Sequence, residues 1–69
     1  MAIEIDGRTY FPAAEVARSV GVSRQTLWRW RQAGKVPAGR RFRDRQIVYT
    51  PDELDQIQGF AARLEPVLP

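Results

Sequence analysis

The sequence predicts a small α+β domain of three short helices and two β-hairpins. Three observations carry that prediction. Two β-prone segments fold back on turn signals, at residues 3–11 and 40–49. Two short helical stretches lie between them, joined by Gly21-Val22-Ser23, and a third follows Thr50-Pro51-Asp52-Glu53. The chain has 69 residues, enough for one domain spanning 1–69. A core of that size contributes only ~3–5 kcal/mol of net stability.

The first hairpin opens on the alternation Ile3-Glu4-Ile5 and turns at Asp6-Gly7, a type I′ signal whose two central residues take positive φ. Arg8-Thr9-Tyr10-Phe11 returns with strand formers. A single strand ahead of the first helix is the alternative. Pro12 then opens a helix through Val20, because the first turn has no use for the N–H that proline lacks. Glu15 complements the positive end of the helix dipole. Gly21 suits the left-handed residue that ends a helix.

Ser23 is expected to cap a second helix from Arg24 to Ala33, which Gly34 stops with Pro37 just beyond. Two short helices joined by about three residues with glycine in the joint make a helix-turn-helix, here 12–34. Val16, Val20, Val22, Leu27 and Trp30 supply its apolar seam, and the i, i+3 spacing of Leu27 and Trp30 reads Trp30 as core. The second hairpin, 40–49, leads out through Arg40-Arg41-Phe42, turns at Arg43-Asp44-Arg45-Gln46 and returns through Ile47-Val48-Tyr49. Set beside the two helices, it forms a wing, so the fold class is a winged helix-turn-helix. The third helix, 50–65, starts at a capping box with proline in the first helical position. It presents Leu54, Ile57, Phe60, Ala61 and Leu64 on one face and ends at Pro66.

Composition narrows function. Cysteine and histidine are both absent, which removes disulfides, thiolate metal sites and the commonest general base. There is no glycine-rich phosphate loop and no convergent acid pair, so a binding module is expected, not an enzyme, with no cofactor, metal or small-molecule ligand. Asp52, Glu53 and Asp55 sit at a helix N-terminus, where the dipole already favours acids. No apolar run approaches the ~20 residues needed to span a bilayer, and the N-terminus lacks a signal-peptide pattern, so a cytoplasmic, nucleoid-associated protein is expected. The net charge is +3 but unevenly spread. Residues 18–45 hold nine cations against Asp44 alone, between acidic ends. Eight of those nine are arginine, which binds phosphate and guanine in planar, bidentate fashion. A solvated charged surface would explain the amount of charge but not its confinement.

The series Glu15-Val16-Ala17, Gly21-Val22-Ser23, Thr26-Leu27, Trp30, Gly34-Lys35-Val36-Pro37, basic hairpin, Tyr49 and capped helix with Leu54 resembles a known pattern. It is similar to the N-terminal DNA-binding domain of the MerR family, and to AlpA-type phage regulators and small excisionases. The resemblance covers residues 10–58, with GVSRQTLWRW its most specific part. It implies a transcription regulator or excisionase-type factor that binds double-stranded DNA. Phe11-Pro12 stands where the family has Ser or Thr at the cap before the first helix. Ile47 replaces the wing arginine, so that phosphate contact does not carry over, and Arg43 and Arg45 are the substitutes. MerR regulators continue into a long dimerising helix, for which this sequence has only residues 59–69. The chain reads either as a stand-alone protein or as the DNA-binding fragment of a larger regulator.

A recognition helix at 23–33 fits the B-form major groove, with residues near its N-terminal end reaching base edges. If Leu27 and Trp30 face the core, Arg24, Gln25, Trp28 and Arg29 face outward. Arginine pairs with guanine and glutamine with adenine. Ser23 and Thr26 are candidates both for capping and for hydroxyl contacts to phosphate. Trp28 is open to two placements: packing on the wing or first helix, or lying against a sugar or a thymine methyl. Arg40, Arg41, Arg43 and Arg45 are expected on flanking phosphates, with Arg41 also open to pairing with an acid of the third helix. Arg31 and Lys35 are lesser candidates, since a helix C-terminus favours cations in any case. One such module buries only ~600–1,000 Å² on DNA, so self-association on DNA is expected. The competing reading is a protein-interaction adaptor using the third helix and the tail.

Overall fold

In the computed structural model, which describes residues 2–43 and 45–63, the order is β1 (Ile3–Ile5), β2 (Arg8–Pro12), α1 (Ala13–Val20), α2 (Arg24–Gln32), β3 (Arg40–Phe42), β4 (Gln46–Tyr49) and α3 (Pro51–Ala61). The fold is α+β, three helices with a four-stranded antiparallel sheet ordered β1-β2-β4-β3.

Both hairpins form. Ile5 pairs with Arg8 around Asp6 (φ 51°) and Gly7 (φ 76°), the two positive angles of the I′ turn. What the local signals did not indicate is the junction between hairpins: Phe11 pairs with Tyr49 and Pro12 with Val48. That pairing corrects the start of the first helix. Pro12 is the last residue of β2 and the N-cap of α1, held extended at ψ 151°, and the helix begins at Ala13.

The α1–α2 joint follows from its glycine. Gly21 (φ 77°) lets its own N–H reach Arg18 O at 3.2 Å and the Val22 N–H reach Ala17 O at 3.0 Å, satisfying the helix's last carbonyls. The same motif closes α2, where Gly34 N–H bonds to Arg31 O at 3.1 Å and Lys35 N–H to Trp30 O at 3.0 Å. Helix α2 therefore ends at Gln32 with Ala33 as its cap, one residue earlier than expected.

Two other boundaries shift. Gln46, expected in the wing turn, is the first residue of β4, opposite Phe42. Arg43 leaves β3 at φ 59°; Asp44, expected in the turn, lies outside the described residues. Helix α3 ends at Ala61, not at residue 65, as its last turn tightens to an Arg63 N–H bond with Phe60 O at 3.2 Å. The expected roles of Leu64 and Pro66 fall outside the described residues.

The core is one cluster of Val16, Ala17, Leu27, Val36, Tyr49 and Ile57, drawn from both α1 and α2, the 34–39 loop, β4 and α3. Trp30 is not at its centre. It is half-buried on the flank, where its ring meets Phe60 edge-on at 4.9 Å between centroids. The helical spacing that points Trp30 inward is correct, but a ring this large at the rim of so small a core keeps an edge in solvent.

Candidate nucleic-acid interface

Helix α2 starts where its cap dictates. Ser23 Oγ accepts the Thr26 N–H at 3.1 Å and donates to Thr26 Oγ1 at 3.0 Å. Both hydroxyls are thus engaged within the cap. From that start, Leu27 turns to the core and Trp28, Arg24, Gln25 and Arg29 are left exposed.

A groove of about 580 Å³ separates α2 from the wing. Its α2 wall is a helical stripe of Arg24, Leu27, Trp28 and Arg31, one above another at i, i+3/i+4 and i+7. Gln25 lies beside them. The first turn of α1 contributes Ala13 and Ala14, and the far wall is Gln46, Ile47 and Tyr49 with Arg45 at the turn. Among the described residues three arginines and no acid line it. Four of the ten residues singled out from sequence, Arg24, Gln25, Trp28 and Arg45, therefore share one concave surface.

The other wing arginines go different ways. Arg40 lies opposite Val48 and Arg41 opposite Ile47, so the two project from opposite faces of the hairpin. Arg40 is the one that meets an acid of α3: its Nη1 donates to Glu53 Oε1 at 3.2 Å. The pairing that was open to Arg41 belongs to its neighbour, and Arg41 is on the same side as the groove-lining Ile47. Glu53 does double duty, since the same oxygen accepts the Thr50 N–H at 2.8 Å in the capping box. The Arg43 guanidinium stands over the Phe42 ring at 5.1 Å.

Sequence reasoning underrated Arg31 and missed Gln46 and Gly39. Arg31 donates from Nε to Ala38 O at 2.6 Å, tying the end of α2 to the loop that leads into the wing. Its i+7 relation to Arg24 was the available signal. Gln46 was hidden by its assignment to the turn. Gly39 (φ +79°) lies so close to Ile47, Val48 and Tyr49 that a side chain there would force one of them to shift. Burial pushes the Tyr49 phenol up, with Arg31 pulling the other way.

Among the described residues no group of acids is placed to hold a metal ion, and no helix is long and apolar enough to cross a membrane. The family model described as a helix-turn-helix domain matches residues 7–58, from the first hairpin into α3. Neither the curated proteins nor the solved structures yield a match.

Proposed function

This chain belongs to the helix-turn-helix domain family, a DNA-binding fold, and we propose that it is a sequence-specific double-stranded DNA binder. In this reading α2 enters the major groove and the arginine-rich β3–β4 hairpin lies on the flanking backbone. Arg24, Gln25 and Arg29 meet base edges, while Arg41, Arg43 and Arg45 meet phosphates. The observation that carries it is the groove: one face of α2 and a hairpin lie across from each other on a surface with three arginines and no acid among its described lining residues. Arg40 is the weakest of the ten candidates, because binding phosphate means giving up Glu53.

The role is that of a transcription regulator or an excisionase-type factor, in keeping with the likeness to MerR, AlpA-type and excisionase proteins. A single module gives limited discrimination, so a second copy is expected to bind alongside on repeated half-sites, from a chain that is monomeric when free. Selection from a random duplex pool, followed by salt titration on the selected site, tests the reading. A recovered consensus whose affinity falls steeply with salt supports it. Recovery of no consensus, with salt-independent binding, favours a protein-interaction adaptor. Sedimentation of the free chain at micromolar concentration checks the assembly, and a stable dimer without DNA would contradict it.

A further inference from the structure

The groove wall carries Trp28, the one large hydrophobic side chain exposed among the described residues, at 56%. An indole half in water on the wall of a cationic cleft offers an apolar face to whatever enters the cleft. Among the described residues the aromatic pair is Trp30 with Phe60 and the stacked cation is Arg43 on Phe42, and neither involves Trp28. More than half of the ring is left open to the groove.

Two DNA surfaces suit an indole, a thymine methyl on the groove floor or the apolar face of a deoxyribose on the backbone. The position of Trp28 separates them. It shares its stripe with Arg24 and Arg31 and opens toward β4, whereas Arg29 is not part of the groove lining. A helix seated in the major groove with a hairpin on the flanking backbone leaves one sugar–phosphate strand to pass between them. The cleft there has cations on both walls, Arg31 on α2 and Arg45 at the hairpin turn, and no acid among its described lining residues. That charge suits a phosphodiester strand passing between the two walls.

We infer that the groove seats one sugar–phosphate strand, with the Trp28 indole against a deoxyribose and Arg45 and Gln46 donating to adjacent phosphates from the far wall. Trp28 is then a positioning residue that adds affinity without reading sequence. The inference rests on the chain being a duplex binder.

The test compares a selected duplex with a random one of equal length. Trp28→Ala, whose thermal midpoint should match the parent because the ring is exposed, is expected to bind both about tenfold more weakly, with base preference and salt slope unchanged. Replacing thymines by deoxyuridine, which removes the methyl groups, should leave the parent's affinity intact. Single uncharged methylphosphonate linkages should weaken the parent at one or two adjacent positions, and Gln46→Ala should lose sensitivity at one of them. Unchanged affinity of Trp28→Ala would overturn the inference, as would relaxed preference at one thymine that deoxyuridine reproduces. Binding of the parent to duplex with none of these effects sinks the inference alone; failure of the parent to bind any duplex sinks the DNA-binding reading with it.

Discussion

Gly39→Ala should cost this domain most of its stability. Gly39 sits at φ +79°, and a Cβ built there falls 2.9 Å from Ile47 Cγ2, 2.9 Å from Val48 O and 3.0 Å from Tyr49 Cε1. The Ile47 methyl can rotate away, but Val48 O belongs to the β3–β4 ladder and Tyr49 is 1% exposed in the core. The positive φ alone costs a residue with a side chain roughly 1–2 kcal/mol. Forcing one extra carbon into a packed site costs ~1–3 kcal/mol more. The total, ~2–5 kcal/mol, is comparable to the ~3–5 kcal/mol expected for a core of this size. Gly34→Ala is the control, since Gly34 has φ +72° with nothing within 4 Å of its Cβ, leaving only the backbone cost. Gly59→Ala should move the other way, by up to ~1 kcal/mol, because a helical glycine with open space around it gains from a side chain. Urea titration followed by far-ultraviolet circular dichroism ranks the three. Equal midpoints for the Gly39 and Gly34 variants would refute the steric argument, and a Gly39 variant as stable as the parent would refute the backbone argument too. Because the collision is with β4, whatever fraction stays folded should have its wing displaced from α2 and bind DNA less well.

Three other outcomes are expected. Trp30→Ala should destabilise by ~3 kcal/mol, the low end for a buried aromatic because the ring is only half-buried against Phe60, and an unchanged thermal midpoint would remove Trp30 from the packing. Arg43→Ala and Arg45→Ala should weaken binding to all duplexes and flatten the salt dependence by roughly one unit each, whereas Arg24→Ala and Arg29→Ala should relax preference at particular base pairs by ~1–3 kcal/mol; the reverse pattern would exchange the two roles. The Tyr49 phenol is raised by burial, so the folded state holds its proton after the unfolded chain has released it. Its contribution to stability is complete below the ordinary tyrosine value of 10.0 and is lost as pH climbs through the raised folded value, so denaturation midpoints should drop in that range. Tyr49→Phe should reduce that alkaline loss, and an unaltered profile would assign it to other groups.

Much of the site was legible because its signals are short-range. The cap at Ser23 sets the phase of α2, and the phase decides that Leu27 turns inward while Arg24, Gln25 and Arg29 do not. Nothing within α2 could decide what Trp28 faces, since that depends on where the wing lies. The alternation of Arg40 and Arg41 along a strand was equally visible. Which of them meets Glu53 depended on the register against β4, and Arg40 won by pairing opposite Val48.

By itself the sequence determined the elements and their punctuation. Asp6-Gly7, Gly21, Ser23, Gly34 and the Thr50 capping box each act on the dihedrals and hydrogen bonds of a few neighbouring residues, so a few letters suffice to read them. Tertiary structure decided the rest. It joined the two hairpins through Phe11–Tyr49 and Pro12–Val48, bonded Arg31 to Ala38, crowded Gly39 against β4 and placed Trp28 and Gln46 on one groove. The first of these links residues nearly forty positions apart, and the groove lining spans a similar stretch. Such contacts form only when burying the shared core outweighs the entropy of closing the intervening chain, a balance set by the whole molecule and not by any local run of residues.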